Sequence, residues 1–208
     1  MFTGIVQSQA QVISKNSENN FVRLKVLVKS SLISSLEIGA SIAINGVCLT
    51  AVDFGKYDNN QSFVEFDVID ETLRVTNLGA VSDNGSVNYE RSLKVGDEIG
   101  GHMVSGHVHT MVELTKIEST ELNKALTFRC DNQWNAYILP KGFITLNGVS
   151  LTIGKVENNK FTVHLIPETL TRTNIGTLKE GDKVNAEFDQ QTMSIVETLK
   201  RMKESGEL

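Results

Sequence analysis

A thiol and a hydroxyl stand at the same place in two copies of one heptapeptide. The first copy reads Ile44-Asn45-Gly46-Val47-Cys48-Leu49-Thr50, and the second reads Leu146-Asn147-Gly148-Val149-Ser150-Leu151-Thr152, 102 residues later. Cys48 could act as a nucleophile or proton carrier only with a lowered pKa, and its sequence neighbours supply no base. A small buried thiol is the plain alternative. Ser150, Thr50 and Thr152 offer hydroxyls, although threonine suits strands regardless of function. His102 and His107 are candidate general acids or bases, because imidazole titrates nearest the working pH. His102, His107 and His109 could also suggest a metal cluster, but no carboxylate or cysteine stands beside them at ligand spacing. No metal is therefore expected, and His109 reads as a surface residue.

These side chains need elements to hold them. Asn-Gly tolerates the positive φ of a tight hairpin turn, and apolar residues flank it on both sides. Each heptapeptide therefore reads as strand, bend and second strand. The repeat extends well beyond it. Gly4-Ile5-Val6 answers Gly106-His107-Val108 at the same offset. After the loop at 55–60 the offset falls to 97, where Phe66 to Leu73 answers Val163 to Leu170. Thr76-Asn77-Leu78-Gly79 then answers Thr173-Asn174-Ile175-Gly176, and Val87-Asn88 with Glu90 answers Val184-Asn185 with Glu187. Four blocks in one order indicate an internal duplication.

Each copy reads as mostly β. Val22, Leu24, Val26 and Val28 alternate with polar neighbours such as Arg23 and Lys25, the period of a half-buried strand. Ala40 to Leu49, Ser62 to Ile69, Ser86 to Glu90 and Phe161 to Ile166 are further short β-rich runs separated by Gly, Asn and Asp. A small closed barrel in each half would remove exposed edges. Short helical turns are expected at Glu71 to Leu78, Glu168 to Ile175 and Gln133 to Leu139, where Pro140 stops the last. The tail after Asp189 lacks a counterpart in the first half. Its Ile195, Val196, Leu199 and Met202 fall at helical spacing, and basic residues near the end suit the helix dipole, so an amphipathic oligomerisation helix is expected.

A net charge of −5 argues against nucleic acid as a partner. No apolar run reaches the length of a spanning helix, so no membrane is expected, and the opening residues do not read as a signal peptide. Cys48 and Cys130 sit in unrelated contexts and suggest reduced thiols in a cytoplasmic protein.

Met1-Phe2-Thr3-Gly4-Ile5-Val6, Asn45-Gly46-Val47-Cys48-Leu49-Thr50, Glu98-Ile99-Gly100-Gly101-His102, Ser105-Gly106-His107 and Lys141-Gly142-Phe143 together resemble the riboflavin synthases of the α-chain type. The resemblance runs from Met1 to the C-terminal helix and includes the tandem repeat. It implies an all-β fold of two similar six-stranded Greek-key barrels, over 1–102 and 103–189, with a C-terminal helix over 190–208. It also implies a homotrimer, with possible association with a lumazine synthase. The implied reaction is the dismutation of two molecules of 6,7-dimethyl-8-ribityllumazine, in which one donates a four-carbon unit to the other. The products are riboflavin and 5-amino-6-ribitylaminouracil. No metal or organic cofactor takes part.

Each barrel would hold one lumazine, and the active site would form between neighbouring subunits. Cys48, His102, His107 and Ser150 would be the catalytic candidates. The lumazine-binding segments would be Gly4, Ile5 and Val6; Cys48, Leu49 and Thr50; Asp67, Val68, Ile69, Asp70, Glu71 and Thr72; Gly106, His107 and Val108; Ser150, Leu151 and Thr152; and His164, Leu165, Ile166, Pro167, Glu168 and Thr169. Lys141 would add a cation near the pteridine or ribityl chain. Glu71 and Glu168 read equally as helix-start residues. Unlike roles for the two rings fit the differences between the copies: Cys48 against Ser150, Ile5 against His107, Asp67 against His164. At Asn147 the family pattern has an acidic residue; an amide there can bond but cannot carry a proton. A non-catalytic pteridine or flavin carrier of the lumazine-protein type is the alternative, and the retained Cys48, His102, His107 and Ser150 favour the enzyme.

Overall fold

A computed structural model describes residues 1–18, 21–119 and 123–207. Its twelve named strands close into two antiparallel barrels. The first contains β1 (Ser8–Ser17), β2 (Phe21–Lys29), β3 (Ser41–Ile44), β4 (Val47–Lys56), β5 (Gln61–Ile69) and β6 (Ser86–Arg91). The second contains β7 (Thr110–Ser119), β8 (Lys124–Arg129), β9 (Phe143–Leu146), β10 (Val149–Glu157), β11 (Lys160–Leu165) and β12 (Lys183–Phe188). Closure pairs the strands that an open sheet would leave as edges. Short helices α1 (Asp70–Val75) and α2 (Pro167–Arg172) follow β5 and β11, and the segment before Pro140 is a 3-10 turn over Asn132–Tyr137.

Alternation fills both barrels. On β4, Val47, Leu49 and Ala51 are buried in the first core with Phe66, Val68 and Tyr89, while Cys48 and Thr50 face outward. On β10, Val149, Leu151 and Ile153 join Phe128, Phe161 and Phe188, and Ser150 and Thr152 face outward. Both hairpins turn on Asn-Gly with both residues at positive φ: 47° and 78° at Asn45-Gly46, 45° and 81° at Asn147-Gly148.

These turns meet back to back. A Cβ added to Gly46 would lie 2.6 Å from the Gly148 nitrogen. Around this contact six asparagines from the two halves bond one another. Asn45 Oδ1 accepts from the Asn88 backbone N–H and from Asn174 Nδ2, and Asn147 Oδ1 accepts from the Asn185 backbone N–H and from Asn77 Nδ2. Asn88 Nδ2 donates to the Asn147 carbonyl, and Asn185 Nδ2 donates to the Asn45 carbonyl. Buried polar groups left without partners cost about 1–3 kcal/mol each, so the knot is stable only when complete. Asn45→Ala should therefore lower stability by roughly 2–4 kcal/mol, read as a fall in the denaturant midpoint without a change in slope.

The chain also crosses between the barrels. Phe2 and Val104 form an antiparallel bridge, which lays the segment before β1 beside the segment before β7. Val6 then enters the core of the second barrel, and Val108 packs on the core of the first.

The last element is α3 (Gln190–Ser205), capped by the Asp189 carboxylate on the Thr192 N–H and ended by Gly206 at a φ of 75°. Met193 and Val196 pack on the second barrel. Ile195 and Leu199, one turn apart, are 61% and 49% exposed.

Candidate functional site

Two outward-facing rows of side chains occupy matching places on the barrels. Cys48 and Thr50 on β4, with Asp67 and Ile69 on the neighbouring β5, are left out of the first core; Ser150 and Thr152 on β10, with His164 on the neighbouring β11 and Ile166 just after it, are left out of the second. The intervening Leu49, Val68, Leu151 and Leu165 point into the cores, so only their backbones border the rows. The exchange of segments decides what else borders them. The Cys48 N–H donates to the Gly106 carbonyl at 2.8 Å, and the Ser150 N–H donates to the Gly4 carbonyl at 2.8 Å. Sequence order attaches Gly4–Val6 to the first repeat, but the structure sets Gly4 against the second row and Gly106 against the first.

Both contacts require glycine. At φ of 73° and 83°, a Cβ on Gly4 would lie 2.6 Å from the Ser150 Cβ, and one on Gly106 would lie 2.5 Å from the Cys48 Cβ. The same two turns are held from below by buried carboxylates. Glu90 Oε1 accepts from the Thr3 N–H and hydroxyl, while Glu187 accepts from the Ser105 N–H and hydroxyl on Oε1 and from the Gly106 N–H on Oε2.

The rows differ where chemistry would differ. His102 lies over the second one. Its Nδ1 is 2.7 Å from Ser150 Oγ, its Nε2 is 3.2 Å from Thr145 Oγ1, and its ring stacks on Phe143 at 4.9 Å. Burial holds the His102 pKa below the ordinary imidazole value, opposed by Asp189. A neutral ring there can accept a proton from one hydroxyl and donate to the other. In the first barrel, Ala43 pairs with Cys48 where Thr145 pairs with Ser150. Lys141 is also peculiar to the second. It holds a φ of 67°, a strained value for a residue with a side chain, and its N–H bonds the Ile153 carbonyl. Gly39 makes the matching bond to Ala51.

A lumazine-binding domain model matches residues 3–92 and again 105–189. The chain belongs to the lumazine-binding domain family. It is 46% identical over 203 residues to a riboflavin synthase of Escherichia coli (strain K12), covering 97% of this chain and 93% of that one. It is 40% identical over 202 residues to a riboflavin synthase of Chlamydia pneumoniae, covering 97% and 96%. Among solved structures, LumP complexed with 6,7-dimethyl-8-(1'-D-ribityl) lumazine has a TM-score of 0.79 at 23% identity, covering 91% of this chain and 100% of that one. LumP complexed with riboflavin has a TM-score of 0.79 at 24% identity and the same coverage. Those two likenesses establish the fold.

Several candidates within the lumazine-binding repeats already have partners. Asp67 forms a two-point ion pair with Arg23 at 2.8 and 3.1 Å. Glu71 pairs with Arg74, and Glu168 with Arg172, each from the first turn to the last of its own short helix, α1 or α2. Asp70, Thr72, Pro167 and Thr169 lie on the same two helices. Ile5 and His107 are exposed at matching places on the crossing segments. His109 is not at the surface: it is half-buried between Trp134 and Phe188, and its Nδ1 accepts from the Phe188 N–H. Among the described residues, no three His, Cys, Asp or Glu side chains gather as a metal site. Asn147 belongs to the asparagine knot and not to either row, which accounts for an uncharged residue there.

A cleft of about 790 Å³ opens elsewhere, at the barrel junction beside Asn77, Met111 and Lys183. It contains none of Cys48, His102 or Ser150, and its buried asparagines bond one another. Cys48 and Ser150 lie instead on the two outward-facing rows, with His102 beside Ser150. Thr145, Phe143, Glu90 and Glu187 escaped the sequence reading of the site. The repeated Val-Asn-x-Glu block was the available signal for the last two.

Proposed function

We propose that the chain acts as a riboflavin synthase, converting two molecules of 6,7-dimethyl-8-ribityllumazine into one of riboflavin and one of 5-amino-6-ribitylaminouracil. The observation that carries this is a duplicated binding surface whose copies differ at the reacting positions, Cys48 in one and Ser150 with His102 in the other. Two like surfaces suit two copies of one substrate, and holding the rings in contact replaces a bimolecular encounter with an oriented one. We call the hollow around each row a cup. Cup 1 comprises Cys48, Thr50, Asp67 to Thr72 and Gly106 to Val108; cup 2 comprises Ser150, Thr152, His164 to Thr169, Lys141 and Gly4 to Val6.

The reaction needs a proton taken from the 7-methyl group of the donor, whose carbanion is delocalised into the ring. Ser150, bonded to neutral His102, is placed to pass that proton to the imidazole. Thr145 fixes the ring orientation from the other side. Cys48 and the hydroxyls of Thr50 and Thr152 orient the rings.

Incubation with the lumazine should yield riboflavin and the pyrimidine in equal amounts, with two substrate molecules bound per chain by titration. One bound molecule per chain and no riboflavin would favour a carrier.

The cups are open on the single chain, which favours completion by a neighbouring copy in a homotrimer. Ile195 and Leu199 supply a stripe for such contact. Ile195→Asp should shift the sedimenting species to monomer and lower activity by at least tenfold, since an interface core tolerates no unpaired charge. An unchanged sedimentation coefficient would remove α3 from the interface. Among the described residues no helix is long and apolar enough to cross a membrane. A cytoplasmic setting is the natural one for Cys48 as a free thiol, and association with a lumazine synthase would be read by co-sedimentation.

A further inference from the structure

Two buried carboxylates hold the turns that lead into the walls of the cups. Glu90 on β6 and Glu187 on β12 are both 4% exposed. Neither forms an ion pair among the described residues, and the groups they bind are the backbone and hydroxyls of the crossing segments. Burial pushes both carboxyls above the usual carboxylate range, opposed by the donors of Thr3 and Gly4 at Glu90 and of Ser105 and Gly106 at Glu187. Carboxyl oxygens facing several N–H and O–H donors make directional bonds, which suits fixing a loop more than merely filling a core.

The direction of the bonds is the telling point. Glu187 belongs to the second barrel, but Gly106, which it grips, lies 2.8 Å from the Cys48 nitrogen on the first. Glu90 belongs to the first barrel, and the turn it grips at Thr3 leads into Gly4, which bonds Ser150 on the second. We propose that Glu90 and Glu187 are positioning residues acting across the barrels, each fixing the glycine turn that walls the cup of the opposite half. This rests on the assignment of the two cups given above. It makes each cup a joint product of both repeats, so that the geometry of one is sensitive to the strand ends of the other.

The test reads each cup separately. Alkylation of Cys48 by iodoacetamide reports cup 1, and its slowing by 6,7-dimethyl-8-ribityllumazine gives an apparent Kd. In a Cys48→Ser background, Ser150→Cys reports cup 2 in the same way; Cys130 is buried and serves as the internal control. Glu187→Gln places a donor against the donors of Ser105 or Gly106. It should raise the apparent Kd of cup 1 by roughly tenfold or more while cup 2 changes by less than threefold. At Glu90 both bonds fall on Oε1, and a glutamine oxygen would keep them; Glu90→Leu, which removes that acceptor from the Thr3 N–H and hydroxyl, should do the reverse.

Should Glu187→Gln fail to fold, Ser105→Ala removes the hydroxyl bond and keeps both N–H donors; it must weaken cup 1 alone, by a smaller factor. Equal losses at both cups, losses in the cup of the same barrel, or no change at either would overturn the inference. A wild type in which the lumazine protects neither thiol would overturn the cup assignment, and the inference with it. Protection in the wild type with the wrong pattern in the variants overturns the inference alone.

Discussion

Replacing His102 by glutamine should lower kcat on the order of a hundredfold while KM stays within a few-fold of the wild type. The imidazole lies 2.7 Å from Ser150 Oγ and 3.2 Å from Thr145 Oγ1, so it can relay a proton along a fixed line. An amide of similar reach keeps hydrogen bonds but cannot take that proton at neutral pH. The split between the constants matters, because loss of packing alone would disturb binding and turnover together. The pH profile offers a second check. Burial depresses the His102 pKa, so the neutral ring persists below the ordinary imidazole range. The acidic limb of the wild-type kcat profile should fall below that range and vanish in the variant. For stability the sign is fixed by the same shift. His102 favours the fold above the unfolded imidazole pKa, and that contribution is lost as pH falls through its folded value. A kcat within threefold of the wild type would make His102 a packing residue beneath Phe143.

The second large effect is on stability. Gly46→Ala should destabilise the chain by about 4 kcal/mol or more and lower Tm by roughly 10 °C. Gly46 holds a φ of 78°, which alone costs an alanine about 1 kcal/mol. The added Cβ would also lie 2.6 Å from the Gly148 nitrogen and 2.9 Å from its Cα. Those atoms are backbone of the opposing turn and cannot rotate away. Relief requires the turns to part, and that opens the bonds of Asn45, Asn88, Asn147 and Asn185. Gly96→Ala is the control: its φ of 98° is just as unfavourable, but nothing lies within 4 Å of the added carbon. Calorimetry should find the control losing a small fraction of the Gly46→Ala effect. Equal losses would mean that the clash is absorbed and that only backbone conformation counts.

The duplication and the barrels were legible because apolar alternation and Asn-Gly are local signals, and because the two copies could be read against each other. Polar β1 and much of β7 and β8 carry a weaker alternation and are defined mainly by pairing. The crossing of Gly4 and Gly106 was not legible. A repeat fixes which residues are equivalent, but not which barrel a terminal segment packs on; that depends on Val6 and Val108 finding the opposite cores. The same blindness applied to Asn45 and Asn147. Their turn role is local and readable, whereas their bonds run to Asn77, Asn88, Asn174 and Asn185, far along the chain. His102 was found by its chemistry, but its partner Thr145 was hidden in a strand that looks like any other. His109 misled because a histidine next to a polar residue gives no hint of Trp134 folding over it.

The interchange of the two leading segments bears on how such a chain could have arisen. A one-barrel ancestor would have lacked one border of its own ligand surface and could have obtained it only from a second copy. Two such copies, each lending its first residues to the other, form a symmetrical homodimer about the asparagine contact. Joining the genes end to end preserves that geometry at once, and it frees the halves to drift apart, as a thiol in one and a serine beneath an imidazole in the other.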